Sequence, residues 1–124
     1  MSKQRLIKIV GILGVLGIGL GAFGAHGLKE TLEEAGMTTV WENAVLYHLI
    51  HMAALFALSF SDSTLKQKVY SIVAWAWIVG ILLFSGSLYA MSLTQLKFLG
   101  PITPLGGLSF MVGWVTLVFA KAKG

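Results

Sequence analysis

At 124 residues the chain has room for one domain. Charged residues make up 11% and hydrophobic ones 56%, too little charge to cover a small water-soluble protein, so the composition makes the bilayer the natural solvent. The net charge of +4 sits in short clusters between apolar runs rather than in one patch, which excludes a nucleic-acid surface, and the lack of cysteine excludes disulfides and thiolate chemistry.

Four apolar stretches stand out, at about residues 6–25, 41–60, 69–93 and 104–120. A helical span needs ~20 apolar residues, with ~17 at the short end, and backbone polar groups in lipid must be paired internally. The expected fold is therefore all-α: a polytopic bundle of four transmembrane helices. The first run follows the basic start MSKQR and is interrupted only by Lys8. With small residues at Ala22 and Gly24 it has some features of a cleaved signal peptide. It exceeds the ~7–15 residues of such an apolar core, however, and is expected to be retained.

The same run contains Gly19-Leu20-Gly21-Ala22-Phe23-Gly24, the letters of a dinucleotide-binding fingerprint. That fingerprint needs a preceding strand, a following helix and an acidic residue ~20 positions on. Glu42 lies at a suitable distance, but the rest of the chain offers further spans rather than alternating strands and helices. Helical spacing explains more. Gly14, Gly17, Gly21 and Gly24 share one helix face, and small residues let helices approach closely in lipid, where dispersion contacts drive association.

After the first span, LKETLEEAG reads as a short amphipathic helix outside the hydrocarbon, stopped by Gly36. Thr39 and Glu42 have the spacing of a capping box that would open the second span. SDSTLKQK is a polar turn, and Gly100-Pro101 argues against a continuous helix between spans three and four. Thr103 followed by Pro104 suits the start of the fourth span. Gly86, Gly106 and Gly107 are further candidate packing positions. Trp41 fits an interfacial belt, whereas Trp114 lies well inside the fourth span and reads as a packed residue. Lys3, Arg5, Lys8, Lys66, Lys68, Lys121 and Lys123 fall on one side of the implied topology and only Lys29 and Lys97 on the other. Both termini are thus expected in the cytoplasm, with Glu30, Glu33 and Glu34 outside.

Candidate functional residues are few. His48 and His51 lie about 13 and 18 Å along the second span from Thr39, on roughly the same face, and Asn43, Tyr47 and His51 form a polar ridge. An ionisable group at that depth is a functional hypothesis by default, as a proton relay or ligand contact. The alternative has neutral histidines bonded to Ser85, Ser87 or Tyr89 on a neighbouring helix. Zinc would want three or four ligands, so no metal or cofactor is expected. His26, at the outer end of the first span, either meets a lipid headgroup and titrates or closes the helix by bonding its last carbonyls before Gly27.

Taken together, GAFGAHGL, YHLIH after WENA, FSGSLY and LGPITPLGG resemble, in the same order, motifs of the bacterial domain-of-unknown-function 423 family, also described as uncharacterised 0382 membrane proteins and related to eukaryotic transmembrane protein 256. The resemblance implies a four-helix plasma-membrane protein and brings no established activity, substrate or catalytic residue. It places His26, His51, Ser85 to Tyr89 and Thr103 to Gly107 inside family motifs and His48 less clearly so; Pro101 stands where a small residue is expected. The functional expectation is a non-enzymatic protein that packs with itself or with a membrane-protein partner in the lipid bilayer. A small histidine-dependent transporter or channel is the alternative.

Overall fold

A computed structural model describes all 124 residues. The chain is helical throughout: α1 Lys3–Ala25, α2 Lys29–Ala35, α3 Thr38–Ser59, α4 Gln67–Gly80, a π turn Ile81–Ser85, α5 Gly86–Thr94, a 3-10 turn Lys97–Leu99 and α6 Ile102–Val118. The α4, π and α5 segments run on as one rod. Three stretches are long and apolar enough to cross a membrane: Lys3–Ala25, Gln67–Thr94 and Lys97–Val118, with mean hydropathies of 2.2, 1.9 and 1.4. Helix α3 is as long, at 22 residues, but carries Glu42, Asn43, Tyr47, His48 and His51.

Two helix starts differ from the sequence reading. Helix α3 begins at Thr38 behind Met37 and has no side-chain cap, so Thr39 and Glu42 form no capping box. Helix α6 begins at Ile102 behind Pro101, which puts Thr103 inside the first turn, where its hydroxyl bonds Ser87 instead. The short α2 is present as expected. It ends at Gly36, whose φ of 66° is left-handed and costs glycine little, and the buried Leu32 pins it to the bundle.

Packing follows from where glycine removes a side chain. Helix α1 lies along α3, and all four glycines of its predicted face point that way: a Cβ on Gly21 would meet Val45 at 3.4 Å, and one on Gly14 would meet Met52 at 3.9 Å. Gly17 and Gly24 are tighter, with Leu49, His48 and Trp41 in their notches. Helix α6 lies along the rod in the same manner. The Trp77 ring fills the notch at Gly113, the Phe110 ring that at Gly80, and Gly106 touches the backbone of Phe84. Two indoles seated in notches also bond the exposed carbonyls, Trp41 Nε1 to Leu20 O at 3.0 Å and Trp77 Nε1 to Phe110 O at 3.3 Å. Gly86 and Gly107 are different: a Cβ at either would meet nothing closer than 4.0 Å, so neither marks a close helix contact.

The π turn sits where the rod is most closely embraced. Phe84 backs onto Gly106 of α6, and Ser85 Oγ donates to Ala44 O of α3 at 2.7 Å. An extra residue in one turn widens the helix, and such bulges persist where neighbours fix them.

One end of the bundle gathers both termini and the loop between α3 and α4. The Met1 ammonium bonds Ser71 Oγ, Gln67 Nε2 bonds Met1 O, Lys3 pairs with Asp62 at 3.6 Å, and Lys123 N donates to Thr64 O at 2.7 Å.

Candidate functional site

Helix α3 directs its two histidines to different neighbours. Residues three apart on a helix are ~60° apart in projection, and here that separation decides everything. His48 points between α1 and α5. Its Nε2 lies 2.8 Å from Leu13 O and its Nδ1 2.9 Å from Tyr89 Oη. A carbonyl can only accept, so Nε2 carries the proton and the neutral ring's Nδ1 accepts from the Tyr89 hydroxyl. Gly17, one turn beyond Leu13, makes the approach possible: a Cβ there would stand 3.3 Å from Nε2.

His51 turns instead toward α6 and takes the opposite tautomer. Its Nδ1 lies 2.9 Å from Tyr47 O, so Nδ1 donates, while its Nε2 accepts from Trp114 Nε1 at 3.1 Å. An indole N–H is only a donor; a proton on Nε2 would place two donors face to face. The ring stacks on Phe110 with centroids 3.6 Å apart and interplanar angle 10°, and the edges of Trp77 and Trp114 close around it. Both imidazoles are buried, and each uses both nitrogens within the chain.

The other sequence-predicted residues are distributed around this pair. Tyr89 joins His48, and its ring also meets Trp41 edge-on at 4.9 Å. Ser85 bonds Ala44 O rather than a histidine, and Ser87 bonds Phe84 O and Thr103 Oγ1. The expected ridge of Asn43, Tyr47 and His51 is split. Asn43 and Tyr47 are exposed, while His51 is buried. His26 is exposed at the end of α1, where its backbone N–H, not its ring, bonds the Ala22 and Phe23 carbonyls. No three His, Asp or Glu side chains converge anywhere in the chain.

Sequence reasoning missed Trp114, Leu13 and Tyr47 O as histidine partners. Spacing on one helix signals neither a backbone acceptor on another helix nor which indole will reach across. A groove of about 580 Å³ is lined by Tyr47, His51, Phe84, Phe110, Met111 and Trp114 among others. Tyr70 Oη, in the first turns of α4, is the one buried side-chain polar atom without a partner.

Residues 20–107, which hold the two histidines, Trp41, the π turn and Gly106, match the family model described as a protein of unknown function, DUF423. The chain belongs to that family. DUF423 relatives include the UPF0382 membrane protein YwdK of Bacillus subtilis, 43% identical over 107 residues and 86% of each chain. The UPF0382 membrane protein SAB0533 of Staphylococcus aureus is 41% identical over 121 residues, covering 97% of this chain and 98% of its own. A UPF0382 membrane protein of Haemophilus influenzae is 34% identical over 121 residues, with 98% and 96% covered. No solved structure matches. This DUF423 chain is thus a membrane protein of helical build.

Proposed function

We propose that the protein spans the bacterial plasma membrane four times, with both termini in the cytoplasm, and acts by packing against itself or another membrane protein rather than by catalysis or transport. The observation that supports this most is the closed hydrogen-bonding of His48 and His51. The groups that would have to relay a proton or hold a ligand are instead spent joining α3 to α1, α5 and α6.

The fourth span is α3. Its 22 residues are about 33 Å long, and its two imidazoles are turned away from lipid. The orientation rests on the end that holds both termini and the loop before α4, which carries every lysine and arginine except Lys29 and Lys97. Helix α6 offers a broad contact surface: Leu105, Leu108, Met111, Val112 and Val115 are all exposed.

The native chain has no cysteine, so single cysteines at Leu108, Met111 and Val115 permit crosslinking in native membranes. A discrete dimer or a discrete hetero-complex is the expected result. A lone monomer at every position overturns the reading.

A further inference from the structure

We propose that the outer face of α1 holds an anionic phospholipid, with its phosphate against Arg5 and Lys8 and an acyl chain laid over Gly11. The proposal needs only that α1 lies in the membrane and is independent of the packing role above.

Charge carries the first half. The only acidic side chain at this end is Asp62, and Lys3 occupies its carboxylate at 3.6 Å, while Lys123 Nζ reaches its carbonyl. Arg5 and Lys8 are exposed, have no carboxylate within ion-pair distance and make no side-chain hydrogen bond. Three residues apart on one helix, they are like charges held side by side, an arrangement that disfavours the helix until an anion joins them. Lys8 lies five residues beyond Lys3, about 7.5 Å further into the membrane. There the counter-ion at hand is a lipid phosphate, and basic clusters beside a spanning helix attract anionic lipids.

The second half is shape. Leu6, Val10, Leu13 and Gly17 define the buried side of α1, and Lys8, Ile12 and Val15 lie opposite it. A Cβ on Gly11 would meet nothing within 4 Å, unlike those of the α1 glycines that face α3. The missing side chain leaves a shallow channel of about 620 Å³ bounded by Lys8, Gly11, Ile12, Val15 and Leu16. A cation at its head and an apolar floor below match one amphiphile.

Native mass spectrometry of the full chain, released from neutral detergent with equimolar phosphatidylglycerol and phosphatidylcholine of identical acyl chains, tests this. The wild type is expected to prefer phosphatidylglycerol. Arg5→Gln/Lys8→Gln should lower that preference by about fivefold per residue removed. Lys121→Gln/Lys123→Gln removes equal charge from the same end and should leave it intact. Gly11→Leu should weaken both lipids while the headgroup preference stays. Equal losses in the two double variants would reduce the effect to diffuse charge and overturn the site. So would displacement by millimolar inorganic phosphate, or no effect of Gly11→Leu. Arg5 and Lys8 are exposed and make no side-chain hydrogen bond or ion pair in the fold, and unchanged circular dichroism excludes misfolding.

Discussion

Replacing Gly106 by alanine adds one methyl group where the chain has no room for it. The new Cβ would stand 2.7 Å from both the Cα and the Cβ of Phe84, and closer still to its backbone nitrogen. No rotamer relieves a contact with backbone, so α6 must move off the rod or the π turn must shift. Overpacking costs about 1–3 kcal/mol, and part of it is offset by the roughly 1 kcal/mol by which alanine favours a helix over glycine. A net loss of up to about 2 kcal/mol is expected. Gly19→Ala supplies the comparison, because a Cβ there meets nothing within 4 Å and the helix preference should appear alone, as a gain of up to about 1 kcal/mol. Gly17→Ala belongs between them: its Cβ would press on Leu49 Cδ2 at 2.6 Å, the end of a flexible side chain, and crowd His48 Nε2 at 3.3 Å. Reversible unfolding in mixed micelles, followed by tryptophan fluorescence, ranks the three. If Gly106→Ala proved as stable as Gly19→Ala, the close backbone approach of α6 to the rod would be refuted.

The two histidines should report opposite tautomers: nitrogen-15 NMR of selectively labelled protein is expected to place the proton of His48 on Nε2 and that of His51 on Nδ1, and matching tautomers would contradict the partner assignments. Tyr89→Phe should destabilise by about 0.6–2 kcal/mol, and a double-mutant cycle with His48→Ala should recover most of that as coupling; zero coupling would mean the pair is incidental. His51→Ala is expected to lower the unfolding midpoint and to leave proton flux of reconstituted vesicles unchanged; flux that depended on His51 would favour the transport reading. Alkaline phosphatase fused after Glu34 should be active and fused after Ser63 inactive, and the reverse pattern would invert the proposed topology.

The helical plan was legible because lipid imposes few options: long apolar runs, a Gly-Pro break and the stop at Gly36 each map onto an element. The glycine face of α1 was readable for the same reason, since spacing alone puts Gly14, Gly17, Gly21 and Gly24 together. Helix starts were less so. Thr39 and Thr103 have capping chemistry, yet both lie within their helices, where Thr103 serves a helix contact instead. The candidate site was half visible. Tyr89 was foreseen as a histidine partner, but the Leu13 carbonyl has no residue signature, and Trp114 was read as merely packed. The split between His48 and His51 arises because 60° of rotation suffices to send each ring to a different helix, and only assembled neighbours show which.

The π turn has a consequence for how this chain tolerates length change. Removing a single residue between Ile81 and Ser85 would let the rod relax into an ordinary α-helix with its two halves in nearly the same phase, because the wide turn absorbs its extra residue; a deletion inside α4 would instead rotate everything after it by about 100°. In the second case Tyr89 would swing away from His48, and Ser87 from Thr103, although neither residue had been altered. The wide turn is thus slack in the rod, taking up one residue of length without turning α5 away from α3 or α4 away from α6.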